Sequence, residues 1–203
     1  YSTATNIDHE IPRSNGQSYS QTTANVLMFS NGYYLIIWQS SHDVNYKYNI
    51  YMQMFTNTNR FQRYDNGNKL WDSSTSGSIE DIQVNTYDDT TTGYRHFQNA
   101  AKFSDESFII VWKSWDQISS TSEFDIYFQK FSLDGYKIGT ETLVNTKTDG
   151  NQDGARIHVF EDDSFVIFYT TRLTDLGGDL YSMMMQRYDN ATIPNKIGTE
   201  QYL

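Results

Sequence analysis

The chain has 203 residues, 37 % of them hydrophobic, a formal charge of −10 and no cysteine. The missing cysteines exclude disulfides, zinc–thiolate centres and cysteine nucleophiles, and the acidic balance disfavours binding to phosphate backbones. No stretch approaches the roughly 20 apolar residues that a membrane helix needs.

Aromatic residues make up 16 % of the chain and proline occurs only twice. Together with many Thr, Val and Ile, this favours strands joined by Gly, Asn, Asp and Ser turns. Read in chain order, the strands come in a recurring set of four. The first set has Ala24 to Phe29, the turn Ser30-Asn31-Gly32, Tyr33 to Ser40, Ile50 to Phe55, and Asp81 to Thr86. The second has Phe97 to Phe103, the turn Ser104-Asp105-Glu106, Ser107 to Ser114, Ile126 to Phe131, and Glu141 to Thr146. The third has Ala155 to Phe160, the turn Glu161-Asp162-Asp163, Ser164 to Thr171, Met183 to Tyr188, and Glu200 to Leu203. Val84-Asn85-Thr86 returns as Val144-Asn145-Thr146, and Ile138-Gly139-Thr140-Glu141 returns as Ile197-Gly198-Thr199-Glu200.

Four blocks recurring in one order define a repeat of about 60 residues. The second strand of each set is a continuous apolar run, as expected for burial on both faces. The third alternates, as expected for a half-buried strand. Such a unit reads as an all-β, four-stranded antiparallel blade of a β-propeller-like fold, with β-sandwich repeats as the alternative. The blades are residues 1–86, with an insertion at about 56–80 that includes Trp71, then 87–146, then 147–203. Three blades do not close a ring, and the chain starts and stops near a repeat boundary. Further blades of the same polypeptide, or self-association into a ring or filament, are therefore expected.

These blocks resemble a tandem repeat of large bacterial surface and secreted proteins and of protist surface proteins. The matching residues are Phe108 to Trp112, Ile126 to Phe131, Gly135 to Glu141 and Val144 to Thr146. The resemblance covers nearly the whole chain and carries no catalytic motif. It implies an extracellular or cell-surface repeat module with a propeller-like fold, and tandem blades without a catalytic constellation point to a non-enzymatic structural or adhesive module.

Three local features carry possible chemistry. Asp149-Gly150-Asn151-Gln152-Asp153-Gly154 fits the core of a calcium loop, with Asp149, Asn151 and Asp153 as ligands. It departs from the full pattern at Phe160, where a Glu is wanted, and a polar turn explains the same residues. The links between second and third strands and those between repeats should gather Asp43, Trp115, Asp116, Asp175 and Asp179 on one surface, with His42 nearby. Tryptophan beside Asp and Asn is how sugar sites are built, so a carbohydrate-binding, lectin-like module is the alternative function. A glycoside hydrolase stands third, because with 25 acidic residues a suitable carboxylate pair carries no information. Asn190-Ala191-Thr192 is a glycosylation sequon in the link between the last two strands.

Overall fold

A computed structural model describes residues 21–41, 48–55, 64–65, 68–69, 82–87, 94–118, 123–173 and 180–203. The chain is all-β among them. Sheet one holds β1 (Gln21–Met28), β2 (Tyr34–Ser40), β3 (Asn49–Phe55) and β6 (Ile82–Gln83), in that order. Sheet two holds β7 (Arg95–Lys102), β8 (Phe108–Trp115), β9 (Phe124–Phe131) and β10 (Lys137–Leu143). Sheet three holds β11 (Gln152–Val159), β12 (Phe165–Leu173), β13 (Leu180–Tyr188) and β14 (Lys196–Tyr202). All neighbouring pairs are antiparallel. A small hairpin of β4 (Tyr64–Asp65) and β5 (Asn68–Lys69) is all that is described of the first repeat's insertion.

The propeller-like expectation is corrected. The three sheets are separate and open, and no described strand closes them into a ring or barrel. The first strand of each later sheet lies across three strands of the sheet before it: β7 against β1, β2 and β3, and β11 against β7, β8 and β9. That is a sandwich-like stack of layers. The structural and adhesive role, and the filament or larger ring, were inferred from an unfinished propeller and are withdrawn with it.

The middle sheet explains the patterning. Alternate residues of β8 serve two cores. Phe108, Ile110 and Trp112 pack with Leu35, Ile37, Met52 and Met54 of sheet one, while Ile109 and Val111 pack with Phe165, Ile167 and Tyr169 of sheet three. Strand β9 does the same with Tyr127 and Phe131 on one side and Ile126 and Phe128 on the other. It is therefore buried along nearly its whole length, not half-buried as its alternation predicts, because a layer covers each face. Ring pairs recur at matched positions. Tyr34–Phe55, Phe108–Phe131 and Phe165–Tyr188 all stack, with centroids 5.1, 5.3 and 4.8 Å apart.

The repeated motifs are latches between and within layers. In the first turn of sheet two, Glu106 accepts hydrogen bonds from the backbone N–H and hydroxyl of Ser30 in sheet one. Asp163 of sheet three does the same for Ser104 of sheet two. The position of these acids is occupied by Gly32 in sheet one, and that of the serines by Glu161 in sheet three. Glu141 accepts from the Thr86 N–H at 2.6 Å, and Glu200 accepts from the Thr146 N–H at 3.2 Å.

The Val-Asn-Thr blocks lie beyond the ends of β6 and β10, where the sequence places them inside the fourth strands. Their Asn side chains take over pairing from the backbone. Asn145 accepts from the Ile126 N–H at 2.8 Å and donates to Asp125 and the Lys147 carbonyl, and Asn85 repeats this with Ile50, Asn49 and Tyr87. The fourth strands of sheets two and three start earlier than predicted, because they run through the Gly-Thr-Glu block with an irregular register. Gln129 and Gln186 bridge that irregularity by donating to the carbonyls of Ile138 and Ile197.

Gly198 has φ of +68° and nothing within 4 Å of an added Cβ. Gly198→Ala is therefore expected to cost about 1–2 kcal/mol through backbone strain alone. Thermal melting checks this. A cost below about 0.3 kcal/mol would remove the left-handed requirement.

Candidate functional site

The end of the stack where β8 runs into β9 gathers rings and carboxylates. Trp115 and Phe124 face one another across the two strands, with ring centroids 4.8 Å apart in an edge-to-face arrangement. His96 lies edge-on to Phe124 at 5.5 Å and stacks on Tyr48 at 5.9 Å, and Tyr48 lies 6.4 Å from Tyr94. A chain of rings therefore runs from Trp115 to Tyr94, which is 47 % exposed. Burial, with the Lys113 ammonium added, pushes the His96 imidazole below its usual range.

Just outside β8 and β9, Asp116 and Glu123 both have positive φ, 52° and 55°. The Asp116 N–H donates to the Glu123 carbonyl at 2.9 Å, which extends the β8–β9 ladder by one step. The side chains of Asp116, Gln117 and Glu123 are half-buried. Asp116 Oδ1, Gln117 Oε1 and Glu123 Oε2 are closed off from solvent and find no donor among the described residues. Leaving a buried acceptor unmet costs about 1–3 kcal/mol, and three such atoms stand within one link. The amide nitrogen of Gln117 is engaged, donating to Glu141 at 2.6 Å.

Of the positions predicted from sequence, Trp115, Asp116, Asn151 and Asp153 come together here. Asn151 Oδ1 accepts from the Phe124 N–H at 3.4 Å, and its carbonyl accepts from the Arg172 N–H at 2.9 Å. Asp153 pairs with Lys113 at 2.7 Å, and the Lys113 ammonium also sits 4.4 Å from the centre of the Phe124 ring. Asp43, Asp175, Asp179 and His42 lie outside the described residues. Sequence reasoning missed Glu123, Gln117, Phe124 and His96. Phe124 could have been found as the cross-strand partner of Trp115, whereas Glu123 carries no signal besides closing the same link.

The calcium-loop oxygens are engaged elsewhere. Asp153 is held by Lys113 and by the Gly154 N–H, and Asp149 faces Lys147 at 3.6 Å. Among the described residues, no group of three or more His, Asp or Glu side chains could hold a metal ion. Asn190 is exposed and donates to the Asp162 carbonyl at 2.8 Å, in a turn that Asp189 braces through Asn195.

No family model matches this chain, and no curated protein matches it. Among the described residues no helix is long and apolar enough to cross a membrane.

Proposed function

We propose that this chain is a non-catalytic saccharide-binding module, with its site at the end of the middle sheet around Trp115. The observation that carries the reading is the Trp115–Phe124 ring pair with the half-buried polar side chains of Asp116, Gln117 and Glu123 next to it in sequence. A sugar offers an apolar ring face for stacking and hydroxyl donors around its rim, so it matches both halves of the arrangement. The acids that the repeat supplies, Glu106, Glu141, Asp163 and Glu200, are occupied in holding layers together. This favours binding over bond cleavage as the use of the site.

The resemblance to surface-protein repeats favours an extracellular location, in which the exposed Asn190 would carry a glycan on the far side of the third sheet's last turn. The experiment is a glycan array followed by titration of the best neutral oligosaccharide, read by tryptophan fluorescence. Trp115→Ala is expected to weaken binding at least tenfold while circular dichroism stays unchanged. A wild-type chain that binds no glycan on the array, or a variant that binds as tightly as wild type, would overturn the reading.

A further inference from the structure

We infer that the outer face of sheet three is a docking surface for a β-strand of another protein, apolar at its centre and acidic at its ends. Sheets one and two each carry the following layer on one face. That face presents Leu35, Ile37 and Met52 in sheet one, and Ile109, Val111 and Phe128 in sheet two. The matching residues of sheet three are Val166, Phe168 and Met185, with Met183 in the place of Ile126. They point away from the core shared with sheet two. Along β13, Met184, Gln186 and Tyr188 are buried, whereas Tyr181 and Met183 are 59 % and 51 % exposed. Sheet three therefore keeps a layer-carrying face, and no described strand is stacked on it.

Charge selects the occupant. In a chain whose net charge is −10, this face carries Arg156, Arg172 and Arg187. The strand register sets them around the apolar centre. Arg156 is opposite Phe168, Arg172 is opposite Tyr181, and Arg187 is opposite Val166. Arg187 also lies 5.9 Å from the centre of the exposed Phe160 ring. The only acid in β11, β12 and β13 is Asp153, and it is turned to Lys113 of sheet two.

The junction between sheets two and three shows how such a face is met. The crossing strand β11 brings Asp153 to Lys113 at 2.7 Å, and its Ile157 N–H donates to Asn99 at 3.3 Å. In sheet three Arg156 stands where Asn99 stands in sheet two, so a donor replaces an acceptor. A strand laid here gains by bringing carboxylates, which guanidinium groups bind through charge-assisted pairs. A second copy of this chain would lay β1 across the face, and β1 has no charged residue to offer.

The test titrates the full chain at low salt with labelled peptides, read by fluorescence anisotropy. The alternate residues of the probe read Glu, Val, Ile, Val, Glu, with Thr between them. Its controls replace both Glu by Gln, replace both by Lys, or move both Glu to the intervening positions, which face the other way in a strand. The first peptide is expected to bind about tenfold or more tightly than the Gln form, as two matched charge pairs allow, and the Lys form not at all. Arg156→Gln combined with Arg187→Gln is expected to bring the Glu and Gln forms to equal affinity with an unchanged melting temperature. Trp115→Ala is expected to leave both affinities as they are. No binding of the acidic peptide, or equal binding of the Gln form or of the peptide with displaced Glu, would overturn the inference. So would a sulfated oligosaccharide that binds more tightly than the peptide and is lost in the same double variant, which would assign the face to a polyanion. Sedimentation showing a dimer that Met183→Asp dissolves would assign it to a second copy instead.

Discussion

Replacement of Phe165 by Ala is expected to destabilise the protein by about 3–5 kcal/mol, the range for emptying a buried aromatic site. Phe165 is fully buried and sits where two layers meet. Its ring stacks on Tyr188 at 4.8 Å and receives the edges of Phe103 and Phe128, both at 5.7 Å. Removing it leaves three rings of two sheets facing a void, and close-packed layers have little freedom to collapse into one. For a chain of this size each kcal/mol corresponds to about 2–4 °C, so the melting temperature should fall by about 6–20 °C. Met183→Ala, on the outer face of the same sheet, is the comparison. Met183 is 51 % exposed, and its truncation should cost no more than about 0.5 kcal/mol. Equal costs for the two variants in urea unfolding would show that the third sheet is not held through this core.

The second large effect is expected at Asn145, where Asn145→Ala should cost about 2–4 kcal/mol. From a buried position the side chain accepts from the Ile126 N–H and donates to the Asp125 carboxylate, at 2.6 Å, to the Lys147 carbonyl and, at 3.5 Å, to Gln152 Oε1. Alanine strands a buried N–H and takes a donor from a carboxylate that has no exposed surface. Asn145→Asp should be worse still near neutral pH, because it sets a second carboxylate against Asp125, and part of its loss should be recovered as the pH falls. Urea midpoints for both variants, together with hydrogen exchange of the Ile126 amide, check this. A fully protected Ile126 amide in the alanine variant would mean that another group can replace the latch.

The strands were legible because period-two patterning and turn residues are local signals. Phe108 to Trp112 reads as a strand from its own residues, and so do Asp105 and Asp162 as turn formers, each accepting from the N–H two residues on. The arrangement of the sheets was not legible. Repetition shows that layers are alike, but whether they turn about an axis or lie across one another depends on inter-layer contacts, such as β11 spanning β7 to β9, that no single repeat encodes. Val144-Asn145-Thr146 reads as a strand because valine and threonine favour one. The side-chain hydrogen bonds of Asn145 override that preference. At the site, Trp115 and Asp116 were found because tryptophan in a polar link stands out, whereas Glu123 was hidden among many acids.

The turn latch gives the stack a direction. Sheet one offers a serine donor forward, sheet three an acid acceptor backward, and only the middle layer has both, as Ser104 and Glu106. A tandem duplication of residues 87–146 would thus set a copied Glu106 against Ser104, and the new layer would find a partner ready for it. Duplication of residues 147–203 would instead bring a copied Asp163 against Glu161, two like charges where a hydrogen bond is wanted. Growth of this architecture by gene duplication is favoured from its centre and resisted at its third-sheet end.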